Sequence, residues 1–186
     1  MDKIYKVYKS QLIIDNHKEF CVNSKNLHEA FKRALPEGDS TWSYTKYNIF
    51  NLAACKPKWH QLYSELIACV KDFTGDPGGL WIQCWLNYHT TDNLKTELDW
   101  HTHSHPWHGY IAIEPHKTRT VFMEEDIEIQ NEIGNIYIGM GGIHHRVEQD
   151  AVFDGPRITL GFDIQLSWAD DGNTKKMGNL GFIPII

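Results

Sequence analysis

The sequence predicts a mainly β domain, a sandwich or barrel carried on two N-terminal helices. Up to about residue 79, apolar residues recur at helical spacing. From Leu80 onward they recur at every second position, in several short runs with no helical segment between them. A length of 186 residues suits one domain with a substantial core. By pattern it divides into helical support over 1–79, a β core over 80–166 and a tail over 167–186.

Leu27, Ala30, Phe31, Ala34 and Leu35 follow the i, i+3, i+4, i+7, i+8 rule and predict a helix over Asn26–Leu35. Ser24 or Asn26 would cap it, and Pro36-Glu-Gly38 would stop it. Trp59, Leu62, Tyr63, Leu66, Ile67, Val70 and Phe73 make a longer stripe, predicting a second helix over Lys58–Phe73. Pro57 suits its first turn and Gly75-Asp-Pro-Gly-Gly79 its end. Between the two helices, Asp39 to Asn51 reads as a loop or short strands.

Strands are predicted over Leu80 to Tyr88, Gly109 to Glu114, Thr118 to Met123, Ile127 to Ile133, Asn135 to Ile138 and Arg157 to Leu166. In the last, Ile158, Leu160, Phe162, Ile164 and Leu166 alternate with Arg157, Thr159, Gly161, Asp163 and Gln165. One face is therefore a core face, and the other begins with two polar groups side by side. The tail reads as a loop, followed by an apolar Phe182-Ile-Pro-Ile-Ile186 that docks on the body.

A formal charge of −6, with no Lys/Arg cluster, predicts no nucleic-acid partner. No apolar run is long enough for a bilayer, and Met-Asp-Lys-Ile-Tyr-Lys lacks the apolar core of a signal peptide. Cys21, Cys55, Cys69 and Cys84 are widely spaced without a C-x-x-C pair, which fits reduced thiols rather than a disulfide scaffold. The expected setting is cytoplasmic.

Six of the 11 histidines fall in two short stretches, Trp100-His-Thr-His-Ser-His-Pro-Trp-His108 and Gly142-Ile-His-His-Arg-Val147. In a strand, residues two apart share a face, so His101 and His103 would present their imidazoles side by side. A third imidazole from a distant strand completes a facial metal site. His101 with His103 is preferred to His103 with His105, since Pro106 suits the following turn. His145 is preferred to His144, because Val147 then continues the inward face. His108 is expected to line the pocket or face solvent. Three imidazoles without thiolate suit iron, zinc, copper or nickel and exclude magnesium or calcium. Arg157 can grip a carboxylate with two parallel hydrogen bonds, with Thr159 beside it. The competing role for Arg157 is a salt bridge to Asp154 or Asp163.

Trp100-His-Thr-His103, Ile143-His-His-Arg-Val147 and Gly155-Pro-Arg-Ile-Thr-Leu-Gly-Phe162 together resemble the motifs of the Fe(II)- and 2-oxoglutarate-dependent oxygenases. That family has His-x-Asp/Glu, a distal His, then Arg or Lys followed two residues on by Ser or Thr. A subset of small bacterial and phage members carries His-x-His at the first motif. Gly134-Asn-Ile-Tyr-Ile138 and Gly109-Tyr-Ile-Ala-Ile113 are similar to the family's Gly-hydrophobic strands. The resemblance covers roughly Leu80 to Leu166 and implies a double-stranded β-helix, a jelly-roll or cupin-like barrel. It implies Fe(II) on His101, His103 and His145 as the metal ligands, with no catalytic residue beyond the metal centre. It also implies 2-oxoglutarate as cosubstrate on Arg157 and Thr159, with Tyr88 and Tyr110 within reach, and hydroxylation of a small-molecule or peptide substrate. The family's carboxylate ligand is absent at position 103, where water, Asp99 or Glu114 could substitute.

Gly134, Met140, Gly142 and His145 are also similar to the second motif of cupins, whose three-His members would use iron and oxygen without 2-oxoglutarate; the first cupin motif fails. Trp85, Trp100 and Trp107 suit an aromatic-walled pocket, with core packing expected for Trp85. The segments Tyr88 to Asp99 and Thr41 to Asn51 are the expected substrate determinants. A silent metal- or ligand-binding barrel is the alternative from a different class.

Overall fold

The computed structural model describes residues 4–34, 47–53, 56–90, 99–123, 127–152, 154–166 and 181–186. Their elements are β1 (Tyr5–Lys9), α1 (Gln11–Asp15), α2 (His17–Ala34), α3 (Ile49–Leu52), α4 (Pro57–Thr74), β2 (Leu80–His89), β3 (Trp107–Glu114), β4 (Thr118–Phe122), β5 (Ile127–Gln130), β6 (Asn135–Met140), β7 (His145–Gln149), β8 (Arg157–Leu166) and β9 (Phe182–Pro184). The strands form two antiparallel sheets, one ordered β1-β6-β3-β8-β2-β9 and one ordered β5-β4-β7. The mainly β expectation holds at this level. Among the described residues no helix is long and apolar enough to cross a membrane. Cys21, Cys69 and Cys84 are free thiols, and Cys55 lies outside the described residues.

The helices cover one face of the larger sheet, α2 against β2 and β3 and α4 against β6. α4 follows the expected pattern. Pro57 occupies its first turn, Gly75 closes it at φ 75°, and Trp59, Leu62, Leu66 and Val70 are buried. α2 departs from expectation by starting at His17 instead of Asn26. Its buried stripe is Phe20, Asn23, Ser24, His28 and Phe31, so small polar residues interrupt the apolar count that locates a helix. Ser24 is accordingly a buried interior residue rather than a cap, and Ala30 and Ala34 face outward. The expected helix end at Leu35 lies outside the described residues.

Two further elements depart from the sequence reading. Ile49–Leu52 is a single helical turn capped by the Asn48 side chain, where a loop or strand was expected; residues 39–46 lie outside the described residues. β1 is an unforeseen edge strand on β6. Its Lys6 and Tyr8 side chains both donate to Asp72 of α4, at 2.5 and 2.6 Å, which fixes the strand to the helix layer through polar contacts rather than an apolar run. Phe182–Pro184 joins the far edge by pairing with β2, while residues 167–180 are outside the described set.

The long central pair β2 and β8 decides which side chains meet. Trp85 lies opposite Gly161, Asn87 opposite Thr159 and His89 opposite Arg157. Because successive side chains alternate, the faces of β2, β3 and β8 turned away from the helices are lined by Trp85, Asn87, His89, His108, Tyr110, Arg157, Thr159 and Asp163. These face the smaller sheet across a cavity.

Candidate metal centre and anion pocket

The cavity encloses about 380 Å³ between the sheets, within the range of small-molecule sites. At its mouth, donor atoms of His101, His103 and His145 lie within 4.8 Å of one another, a group that could hold a metal ion. His145 opens β7, is 7% exposed, and hydrogen-bonds through Nδ1 to the Ile143 carbonyl at 3.1 Å. His101 is joined to it by a lone antiparallel bridge, each backbone N–H donating to the other's carbonyl at 3.0 Å. That bridge lays the two imidazoles together with ring centroids 4.4 Å apart. His101 Nδ1 in turn donates to the Asp99 carbonyl at 2.7 Å. In both rings the proton sits on Nδ1, because a carbonyl can only accept, and the Nε2 lone pair is left for a ligand.

The first motif is not a strand, contrary to expectation. Apart from the His101 bridge, residues 99–106 are loop, and β3 begins at Trp107. The loop is shaped by two glycines. Gly142 N–H donates to the His103 carbonyl at 2.9 Å and Gly141 N–H to the Pro106 carbonyl at 2.8 Å. A Cβ on Gly141 would come within 1.8 Å of the His105 carbonyl oxygen, so only glycine allows this approach.

The residue that sequence reasoning missed is Asp163. Its carboxylate is buried on β8, with Oδ1 2.7 Å from His103 Nδ1 and Oδ2 3.9 Å from His105 Nε2. The alternation along β8 had placed it on the polar face, but only the fold of the 101–106 loop brings histidines to it. His105 therefore belongs to the carboxylate's surroundings rather than to the donor group, its ring 5.2 Å from Phe182. His108 is buried and stacked on both His103 and His145, centroids 4.5 and 4.7 Å away, with Nε2 lacking a hydrogen-bond partner among the described residues. Of its two expected settings, the pocket wall is the one found. His144 does not line the cavity.

Electrostatically, this end is built for neutral imidazoles. Burial pushes His145 down from 6.5 to about 3, assisted by the neighbouring His101. It also depresses His101 and, more strongly, His108. Neutral imidazoles are the form that ligates metal.

The deeper wall is a row along β8: Arg157, Thr159, Gly161 and Asp163. The Trp85 indole lies against the bare backbone of Gly161, where a Cβ would meet it at 2.6 Å. Trp85 Nε1–H donates to Asn87 Oδ1 at 3.0 Å, and Asn87 Nδ2–H donates to Thr159 Oγ1 at 3.3 Å. Trp85 thus packs in the core and walls the cavity at once, while Trp100 lines the mouth beneath the Arg146 guanidinium. Trp107 packs against the apolar core instead.

Arg157 is 3% exposed, and no carboxylate pairs with it among the described residues. Asp163 is engaged with histidines and Asp154 is exposed, so neither suggested ion pair forms. The guanidinium's Nη1 lies 3.4 Å from His89 Nδ1, and its Nε–H has no hydrogen-bond partner among the described residues. Burial lowers Arg157 to about 10, which still leaves it a cation at neutral pH.

Tyr110 lines the cavity, its hydroxyl donating to Asn131 at 2.6 Å and accepting from Thr120 at 3.2 Å. Tyr88 does not. It projects to the other face of β2 and stacks on His28 of α2, centroids 4.2 Å apart, so its neighbours Asn87 and His89 take the cavity positions. Neither suggested carboxylate substitute joins the donor group. Glu114 lies with His17 and Cys21, and Asp99 turns its side chain to the Trp100 N–H at 2.7 Å. Of the expected substrate-determining segments, residues 91–98 and 41–46 lie outside the described residues.

No protein-family model matches the chain, and no curated protein matches it.

Proposed function

We propose that the protein is an Fe(II)- and 2-oxoglutarate-dependent oxygenase acting on a small-molecule or peptidyl side-chain substrate. One observation carries the reading. A buried guanidinium without a carboxylate partner among the described residues shares a cavity with three convergent imidazoles. An unpaired buried charge is costly, and its presence is explained when an anionic ligand completes it. The alternation of strands between the two sheets, with His101 bridged to β7 as a remnant strand, supports a double-stranded β-helix.

The donor set fits the metal. Three imidazoles and no thiolate suit a divalent first-row ion and leave positions open for a cosubstrate. When bound, iron and 2-oxoglutarate supply oxygen activation and substrate hydroxylation, with succinate and CO2 as coproducts. His101, His103 and His145 hold the ion, and Asp163 fixes the His103 ring. Arg157 pairs with the distal carboxylate of 2-oxoglutarate, and Thr159, oriented by Asn87, adds a hydrogen bond. Trp85 and Tyr110 wall the cosubstrate and exclude water, while Trp100 flanks the entrance.

The test is conversion of 2-oxoglutarate to succinate by the purified protein with Fe(II) and ascorbate. Turnover lost in Arg157→Ala and His145→Ala supports the reading. A second reading, a three-His cupin-type dioxygenase, is favoured by the lack of a carboxylate in the donor group. Fe(II)-dependent oxygen consumption that is indifferent to 2-oxoglutarate would select it. Metal binding with neither activity would leave a silent metal-binding barrel.

A further inference from the structure

We infer a second metal site, of zinc type, at the junction between the start of α2 and the end of β3. His17 is the first residue of α2 and Cys21 stands four residues on, so both side chains share one helix face. They meet Glu114, the last residue of β3. Donor atoms of the three lie within 4.8 Å of one another. His17 Nε2 is 3.1 Å from Glu114 Oε2 and 3.3 Å from Cys21 Sγ. A tetrahedral ion with bonds of about 2.0–2.3 Å separates its ligands by roughly 3.3–3.7 Å. The two separations from His17 are within a few tenths of an ångström of that spacing.

The fold directs Glu114 to this place. β3 runs in register with β8 up to Ala112, opposite Thr159, then slips so that Glu114 lies opposite Ile158. Such a bulge re-aims the side chain beyond it, here toward α2 and away from the cavity between the sheets.

Three protein donors, His17, Cys21 and Glu114, leave the fourth tetrahedral position to water. Nitrogen, sulfur and carboxylate donors in one tetrahedral set suit zinc. On binding, the Cys21 S–H proton passes to solvent as the sulfur–metal bond forms. The ion would tie α2 to the strand end from which the chain reaches β4, separate from the three-histidine group.

Cobalt(II) distinguishes the two sites, because a thiolate ligand gives a near-ultraviolet sulfur-to-cobalt charge-transfer band and the three-histidine group has no sulfur. The whole chain, reduced and metal-free, is titrated with cobalt(II). The band is expected in the unaltered protein and in His145→Ala, displaced by stoichiometric zinc. It is expected to vanish in Cys21→Ser and to need at least tenfold more cobalt in Glu114→Gln, both checked for unchanged circular dichroism. No band at saturating cobalt would overturn the proposal, as would a band unchanged in Cys21→Ser.

Discussion

Oδ1 of Asp163 lies 2.7 Å from Nδ1 of His103, and the carboxylate is only 4% exposed. The contact is close without being a well-aligned hydrogen bond, and the oxygen has no other hydrogen-bond partner among the described residues. A carboxylate behind a ligating imidazole orients the ring and raises its basicity. It also returns a negative charge to a centre whose donors are neutral. Asp163→Asn keeps the shape and removes the charge, so metal affinity is expected to fall about 10- to 100-fold. Isothermal titration with Fe(II) under anaerobic conditions reads this directly. An unchanged affinity would reduce Asp163 to a packing partner of His105.

Arg157 sets binding against stability. Among the described residues no carboxylate pairs with its buried charge, so in the ligand-free protein it is a cost rather than a support. Arg157→Met, with similar length and no charge, is expected to raise the melting temperature of the ligand-free protein. The same variant should lose at least tenfold in affinity for 2-oxoglutarate, since a charge-assisted hydrogen bond contributes about 1.5–3 kcal/mol. Scanning calorimetry with and without 2-oxoglutarate checks both halves. A destabilised variant with unaltered ligand binding would make Arg157 structural.

Much of this pocket could be read from period-two spacing, because β8 is long and strictly alternating. Alternation alone puts Arg157 and Thr159 on one face and His145 and Val147 on another, and all four line the cavity. Tyr88, which the resemblance put within reach of the cosubstrate, packs on the helix side instead, since nothing local distinguishes the two faces of a strand buried on both. Asp163 was visible as a polar-face residue but not as a histidine partner, a relation set by a loop pinned through Gly141 and Gly142. β1 was missed because polar contacts to Asp72 stand where apolar periodicity was sought, and the first turns of α2 because Asn23 and Ser24 occupy its buried stripe.

Acid should destabilise the metal-free protein earlier than its carboxylates alone would cause. His145 and His108 are held below the ordinary imidazole value of 6.5, His145 at about 3, mainly by burial. The folded state therefore binds fewer protons than the unfolded chain. The stability tied to these neutral rings is fully present above about pH 6.5 and is lost progressively as pH falls toward 3. Melting temperature is expected to drop between pH 7.5 and 5 in the metal-free protein, and His145→Leu should flatten that slope. An equal slope in the variant would place the proton uptake elsewhere.

Adjacent glycines should separate the metal loop from ordinary backbone strain. Gly142 has φ +82°, and a Cβ there meets nothing within 4 Å, so Gly142→Ala suffers only its left-handed backbone, about 1–2 kcal/mol. A Cβ at Gly141 would strike the His105 carbonyl oxygen at 1.8 Å and approach the His103 carbonyl at 3.3 Å. Backbone cannot rotate out of the way, so Gly141→Ala must push the 103–106 segment off β6 and carry the His103 ring with it. Gly142→Ala is expected to lower the melting temperature while leaving metal affinity within about threefold. Gly141→Ala is expected to lower both, with metal affinity falling at least tenfold. Equal metal affinities in the two variants would show that the loop can shift without moving His103, and that the three-histidine geometry is held by the His101–His145 bridge alone.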